Sequence, residues 1–191
     1  MDKKFLEKYG AWAIVTGASS GIGVEYAKQI AAKGLNIILV ARRKQLLESL
    51  ANEIEEKYAV QTKVVECDLS QDNFQYTLLD ATKDLDIGLL VNNAGMNCEG
   101  HFYRGGLDRN LQMLQLNTKA PFILAFEYGK QFISRGKGGI IFTSSISAFS
   151  AHPYLAHYAA TKAYILSLAE SMNYEFKDKN VDVIALCPGM T

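Results

Sequence analysis

The sequence has few of the features that mark secreted, membrane-spanning or metal-binding proteins. Its three cysteines, Cys67, Cys98 and Cys187, are far apart, so neither a disulfide framework nor a CxxC metal pair is expected. No apolar run approaches the roughly 18 residues that a membrane-spanning helix needs. The N-terminus has basic residues but lacks the apolar stretch of a secretory signal. These absences favour a reducing, cytoplasmic setting.

The chain also has no excess of positive or negative charge, because 20 Lys and Arg side chains balance 20 Asp and Glu side chains. A net charge of zero gives no electrostatic reason to expect nucleic acid as a partner. The three histidines, His101, His152 and His157, are not at metal-ligand spacing, so no metal site is expected. The chain has 191 residues and a 49% hydrophobic fraction, which is typical of one globular domain over residues 1–191.

Short apolar runs, rich in Ile, Val and Leu, recur along the chain. They do not alternate with polar residues, which is typical of parallel strands that are buried on both faces. The sequence therefore predicts six strands, at 11–16, 36–41, 63–67, 87–92, 139–144 and 181–187.

Segments with helical periodicity lie between these runs. In residues 44–58, for example, five apolar side chains are predicted to share one face: Leu46, Leu47, Leu50, Ile54 and Tyr58. Alternation of strands and helices predicts an α/β fold with a doubly wound parallel sheet and helices on both faces.

The first strand is followed directly by a glycine-rich turn, Thr16-Gly17-Ala18-Ser19-Ser20-Gly21-Ile22-Gly23. Glycines allow a tight turn and close approach to a phosphate, and the following helix presents unpaired N–H groups to it. Three glycines alone are equally compatible with a turn that binds no ligand. Their position between a strand and an amphipathic helix favours a dinucleotide pyrophosphate.

The second predicted strand ends at Ala41, where a carboxylate that binds the ribose 2′-hydroxyl usually lies. Here Arg42 and Arg43 follow instead. A guanidinium attracts a 2′-phosphate through bidentate hydrogen bonds, so NADP is favoured over NAD, with Arg42 as the main contact. The alternative is that both arginines are solvated residues at a helix start.

Several weak motifs occur in one order along the chain. After the glycine turn come Asn92-Asn93-Ala94-Gly95, Ser145, Tyr158-x3-Lys162 and Pro188-Gly189. This ordered set, from about residue 11 onward, resembles the short-chain dehydrogenase/reductase family. Within it, Tyr9-Gly10-Ala11-Trp12 and residues 34–42 are similar, less specifically, to the 3-oxoacyl-CoA reductase and 17-beta-hydroxysteroid dehydrogenase branch.

The resemblance implies a Rossmann-like fold and a catalytic group of four residues. Tyr158 would be the general acid that protonates a carbonyl oxygen, and Ser145 would polarise that oxygen. Lys162 would hold the nicotinamide ribose and lower the pKa of Tyr158, while Asn117 would anchor a water in the proton path. A free phenol has a pKa of about 10, so acid catalysis near neutral pH needs such stabilisation.

The resemblance also implies the cofactor contacts. The glycine turn would line the pyrophosphate, the end of the third strand the adenine, the end of the fourth the adenosine ribose, and the last residues the nicotinamide. The pyrophosphate positions are Gly17, Ser19, Ser20, Gly21, Ile22 and Gly23, and the adenine positions are Asp68 and Leu69. The adenosine-ribose positions are Asn92, Ala94 and Gly95, and the nicotinamide positions are Pro188, Gly189 and Thr191. Tyr158 and Lys162 would also contact the cofactor.

Two functions remain open at this point. The first is an NADP(H)-dependent oxidoreductase that interconverts a ketone or aldehyde and an alcohol. The second is an NADP(H)-binding sensor without catalysis. The substrate would be a small carbonyl compound or alcohol, with fatty-acyl or steroid-like compounds suggested by the branch resemblance. A homodimer or homotetramer is expected through the helices at 117–135 and 158–177.

The family comparison raises one expectation about length. Members of the family run well past the Pro-Gly pair, where they add a substrate-covering lobe and a final strand. We therefore expect the chain to be truncated after Thr191, without that lobe and strand. The run at 181–187 would then be an apolar edge strand, which natural sheets usually cover.

Overall fold

The computed structural model describes residues 2–189, and they form a six-stranded parallel sheet with the order β3-β2-β1-β4-β5-β6. The doubly wound fold that the sequence predicts is confirmed. Each strand forms where an apolar run was predicted, and the bounds differ by one residue at most: β1 Trp12–Thr16, β2 Asn36–Ala41, β3 Thr62–Glu66, β4 Ile87–Asn92, β5 Gly138–Thr143 and β6 Val181–Leu186.

Helices connect the strands and cover both faces of the sheet. A five-residue π-helix, Gln115–Lys119, links the fifth and sixth α-helices into one continuous rod. The α-helices are α1 Lys3–Tyr9, α2 Ile22–Ala32, α3 Lys44–Tyr58, α4 Phe74–Thr82, α5 Leu107–Leu114, α6 Ala120–Arg135 and α7 Ala156–Phe176.

The sheet separates two hydrophobic cores. On one face α2 and α3 pack against the strands through side chains such as Ile30, Leu47 and Ile54. On the other face α4, α6 and α7 do the same, with Tyr128 and Phe132 among the largest fully buried side chains. Burying one large apolar side chain contributes about 1.5–3 kcal/mol, which explains why β1, β2 and β4 contain almost no polar residue.

Two expectations about burial are corrected by the structure. Leu46 was predicted on the inner face of α3, but it is 45% exposed, because the buried stripe runs through Leu47, Leu50 and Ile54 and Leu46 lies to one side of it, about 100° from Leu47. Strand β6 is an edge strand that alternates in burial, with Ile184 exposed. By contrast, β4, which has neighbours on both sides, is buried at every position.

The N-terminal helix α1 packs across the amino ends of β4, β5 and β6. The Tyr9 hydroxyl donates to Asp182 Oδ2 at 2.7 Å. Gly88 leaves room for the main chain of α1, because a Cβ atom at Gly88 would lie 1.6 Å from the Tyr9 carbonyl oxygen. Because all six strands are parallel, their carboxyl ends lie together at the opposite end of the sheet from α1.

Candidate active site

A cleft of about 440 Å³ lies at the carboxyl ends of the strands, where open α/β sheets bind ligands. Segments that follow all six strands contribute to it. Fourteen of the sequence-predicted site residues line this one cleft: Gly17, Ser19, Ser20, Ile22, Arg42, Asp68, Leu69, Ala94, Gly95, Ser145, Tyr158, Lys162, Pro188 and Gly189.

The turn after β1 has the shape of a phosphate cradle. Gly17 has φ +67°, and a Cβ atom there would lie 2.8 Å from Ala94 Cα, so no larger residue fits. Helix α2 begins at Ile22, and its N-cap is Gly21, which has no side chain to accept from the first N–H groups. Free donors at the positive end of an eleven-residue helix suit a pyrophosphate.

The two arginines after β2 have different contacts. Arg43 contacts the glycine-rich turn, where its Nη2 donates to Ser19 Oγ at 2.8 Å and to Ser20 Oγ at 2.7 Å. Arg42 lies on the side of Asp68. Burial raises the pKa of Asp68, but hydrogen bonds from Ser70 and Gln71 and the charge of Arg42 outweigh it and keep that pKa below its usual value.

The other end of the cleft holds a phenol and a buried ammonium. Tyr158 and Lys162 lie one turn apart on α7, with Lys162 Nζ 5.7 Å from the centre of the Tyr158 ring. Lys162 is 6% exposed, and its Nζ donates to the carbonyl oxygen of Thr143 at 2.8 Å. Burial lowers the pKa of Lys162 to about 8, although Cys187 opposes this shift.

Two serines follow β5, and the first of them ties this strand end to α7. Ser144 Oγ donates to the carbonyl oxygen of Lys162 at 2.8 Å. Ser145 is buried and lines the cleft, and its Oγ accepts from the Ser147 N–H at 3.1 Å. That acceptor bond leaves the single O–H of Ser145 available to a ligand oxygen.

Asn117 lies behind the cleft and does not line it. Its Oδ1 accepts from Met96 N–H, and its Nδ2 donates to the Met96 carbonyl oxygen, both at 2.9 Å, and to Thr161 Oγ1 at 3.1 Å. Asn117 lies in the π-helix, and short π-helical turns of this kind are frequent at functional sites. The side chain therefore ties the segment after β4 to α7.

The structure does not bring every predicted residue to the cleft. Gly21 is exposed and Gly23 is buried, and neither lines the cleft. Gly23 allows α2 to approach the turn, because a Cβ atom there would be 2.2 Å from the Gly17 carbonyl oxygen. Thr191 lies outside the described residues.

Asn92 is turned away from the cleft, and its Nδ2 donates to the Pro121 carbonyl oxygen at 3.3 Å. Its neighbour Asn93 lines the cleft instead, and its amide donates to the Thr16 carbonyl oxygen. Side chains alternate between the two faces along a strand, so only one of two consecutive asparagines can face the ligand.

Sequence reasoning did not assign ten of the residues that line the cleft, among them Arg43, Asn93 and Met96. The position of Arg43 next to Arg42 is a signal that could have identified it, since both follow the strand tip. The backbone contact of Met96 with Asn117 has no sequence signal, because a main-chain group of any residue type can make it.

The comparisons with known proteins agree with this geometry. Residues 11–191 match the family model described as short chain dehydrogenase. The chain belongs to the short-chain dehydrogenase family. It therefore shares the family's Rossmann-like fold, as the resemblance in the sequence predicted.

Individual members of this family are similar over nearly the whole chain. A 7beta-hydroxysteroid dehydrogenase of Clostridium sardiniense is 38% identical, and the match covers 98% of this chain and 72% of the relative. An inactive hydroxysteroid dehydrogenase-like protein 1 of Homo sapiens is 34% identical, covering 96% of this chain and 56% of the relative.

Among solved structures, a short-chain dehydrogenase from Sphingobium yanoikuyae in complex with NADPH superimposes with a TM-score of 0.90. It is 32% identical, and the match covers 94% of this chain and 71% of the other. Within residues 2–189, no helix is long and apolar enough to cross a membrane, and no three His, Cys, Asp or Glu side chains cluster as metal ligands would.

Proposed function

We propose that this short-chain dehydrogenase family member is an NADP(H)-dependent oxidoreductase that reduces a ketone or aldehyde to an alcohol, or catalyses the reverse. One observation carries the proposal. A single cleft combines a phosphate cradle, two arginines and the trio Ser145, Tyr158 and Lys162. A dinucleotide that extends along this cleft would have its phosphates at one end and its reactive ring beside the phenol.

The residues of the cleft fit such a cofactor from end to end. Gly17, Ser19 and the first turn of α2 would hold the pyrophosphate, while Asp68 and Leu69 would contact the adenine. Ala94 and Gly95 would approach the adenosine ribose, and Pro188 and Gly189 the nicotinamide. The bound cofactor supplies or accepts a hydride at its nicotinamide ring.

The preference for NADP(H) rests on the guanidinium groups beside β2. Arg42 and Arg43 both line the adenosine end of the cleft, and no carboxylate follows β2 directly. Arg42→Ala should therefore weaken NADPH binding at least tenfold and leave NADH binding within about twofold, since charge-assisted hydrogen bonds contribute about 1.5–3 kcal/mol. Equal losses for the two cofactors would contradict a contact between Arg42 and the 2′-phosphate.

In the proposed reduction, the Tyr158 phenol donates its proton to the carbonyl oxygen, and the Ser145 hydroxyl donates a hydrogen bond to the same oxygen. The Lys162 ammonium can stabilise the phenolate that this proton transfer leaves, because a pKa of about 8 keeps Lys162 mostly charged at pH 7 and low local polarity strengthens its field.

Asn117 takes part indirectly in this proposal. Its three hydrogen bonds fix the backbone of Met96 and the side chain of Thr161, which lies on α7 next to Lys162. We propose that it holds the segment after β4 at a fixed distance from Lys162. The proton path through a water at Asn117 stays a prediction.

The substrate class is proposed from the relatives. The most similar ones include hydroxysteroid dehydrogenases, so we propose a bulky, steroid-like alcohol or ketone as substrate, ahead of a fatty-acyl compound. A direct test is to incubate the protein with NADPH and a panel of ring ketones and aliphatic ketones, following NADPH absorbance. Faster oxidation with the ring ketones is the expected result.

A homodimer or homotetramer is also proposed. Helices α5, α6 and α7 expose large apolar side chains, among them Leu111, Phe126 and Tyr164, and such patches mark interaction surfaces. Sedimentation at micromolar concentration should give a mass at least twice that of one chain, and a monomeric mass would count against the proposal. The cytoplasmic location stays a prediction.

A second candidate function is an NADP(H) sensor without catalysis. The relative that is named inactive favours it, since this chain resembles it almost as closely as it resembles the dehydrogenases. The presence of Ser145, Tyr158 and Lys162 in the cleft favours the enzyme. Measuring NADPH affinity and ketone-dependent turnover on one preparation separates the two, because a sensor would bind NADPH with no turnover on any carbonyl compound.

A further inference from the structure

The loop after β3 is joined to the long helical rod that carries Asn117. Three side chains at positions 112, 115 and 119 reach it, and this spacing places them on one helix face. The contacts pair Gln112 with Ser70 (Nε2 to Oγ, 3.2 Å), Gln115 with Gln71 (Nε2 to the carbonyl oxygen, 3.5 Å) and Lys119 with Asp72 (Nζ to Oδ1, 3.0 Å).

The first contact continues to the cleft through the Ser70 hydroxyl. Ser70 Oγ donates to Asp68 Oδ1 at 2.7 Å, and the Ser70 N–H donates to the same oxygen at 3.0 Å. A serine hydroxyl has one proton to donate and two lone pairs. Since Gln112 Nε2 is a donor, it must occupy a lone pair, which directs the Ser70 proton toward Asp68. The three residues thus form a one-way chain of hydrogen bonds.

This chain fixes which oxygen of Asp68 is available to a ligand. Oδ1 is held by both groups of Ser70. Oδ2 has a long 3.5 Å contact with Gln71 Nε2, which a better donor could replace. Asp68 lines the adenosine end of the cleft, where an adenine would present its exocyclic amino group.

We infer that Gln112 is a positioning residue for cofactor recognition: through Ser70 it holds Asp68 so that Oδ2 accepts a hydrogen bond from the adenine amino group. The inference rests on the proposed NADP(H) function. It also connects adenine recognition to the helical rod that contains Asn117, since Gln112 and Ser70 are 42 residues apart in sequence but in contact in the structure.

The test compares NADPH with its hypoxanthine analogue, in which a carbonyl oxygen replaces the amino group. Dissociation constants are measured by cofactor fluorescence for the wild type, Gln112→Ala and Asp68→Ala. The wild type should prefer NADPH, and Gln112→Ala should reduce this preference about three- to tenfold, as expected for loss of one orienting hydrogen bond.

Two further variants make the result specific. Gln112→Glu has nearly the same shape, but its carboxylate would compete with Asp68 for the one Ser70 proton, so it should reduce the preference at least as much as Gln112→Ala. Lys119→Ala removes the exposed ion pair to Asp72 and leaves Ser70 untouched, so it should preserve the preference.

If the wild type does not bind NADPH, the proposed function itself fails; the other outcomes test only this inference. If Asp68→Ala reduces the preference for NADPH and both Gln112 variants keep it, the positioning role of Gln112 is wrong while the adenine contact of Asp68 stands. If Asp68→Ala also keeps it, the adenine contact itself is wrong, and the inference fails with it. An equal effect of Lys119→Ala would show that general loosening of the loop is the cause.

Discussion

Replacing Lys162 with methionine should change how the stability of the cofactor-free protein depends on pH. Burial holds the pKa of Lys162 at about 8 instead of the ordinary 10.5. This shift means that folding disfavours the charged form of Lys162, relative to the neutral form, by about 3 kcal/mol. Between these two values the unfolded chain binds a proton that the folded chain has released. Since the unfolded state then binds more protons, stability rises with pH in this window and is flat below it.

Urea denaturation at pH 7 and at pH 10 measures the effect. Relative to Lys162→Met, the wild type should gain about 2–3 kcal/mol of unfolding free energy between the two pH values. Other ionisable groups occur in both proteins, so their contributions largely cancel in the difference. Lys179→Met is a matched control, because Lys179 is exposed, and its difference from the wild type should be nearly the same at both pH values.

A constant difference between the wild type and Lys162→Met across this range would refute the reasoning. It would mean that the Lys162 ammonium is well solvated in the folded protein. The proposal that this group acts on Tyr158 through a low-polarity environment would then lose its physical basis.

Two other substitutions test separate parts of the structure. Gly88→Ala should lower the unfolding free energy by at least about 2 kcal/mol, because the new Cβ would overlap the Tyr9 carbonyl oxygen. NADPH affinity should be retained, because α1 lies at the opposite end of the sheet from the cleft. Unchanged thermal unfolding would contradict the packing of α1. Asn117→Ala should destabilise the protein by about 2–4 kcal/mol in thermal unfolding, because the substitution leaves both backbone groups of Met96 without partners. A loss of turnover at full stability would show that Asn117 acts in the chemistry and not in positioning.

The sequence was sufficient to predict the fold because burial on both faces leaves continuous apolar runs. Strands β2 and β4, which lie inside the sheet, have the predicted bounds. Edge strand β6 alternates in burial, which a continuous run does not indicate. The error at Leu46 has a similar origin, since one residue step decides whether a helical side chain lies on the buried stripe.

The site was predicted mainly from the family resemblance, and chain order supports part of it. Every strand of a parallel sheet ends at the same edge, so Asp68, Ser145 and Pro188 could be assigned to one cleft in advance. Side-chain direction could not be predicted in the same way. Asn92 turns toward Pro121, and Arg43 rather than Arg42 reaches the glycine turn, because both outcomes depend on contacts between distant segments.

The central claim is that the cleft catalyses hydride transfer from NADPH to a carbonyl compound while Tyr158 donates the proton. The most direct measurement is ketone-dependent NADPH oxidation by Tyr158→Phe, together with its NADPH dissociation constant. Since the phenol hydroxyl supplies the proton, turnover should fall by about 100- to 10,000-fold while NADPH affinity stays within about threefold. Turnover close to that of the wild type would contradict the account.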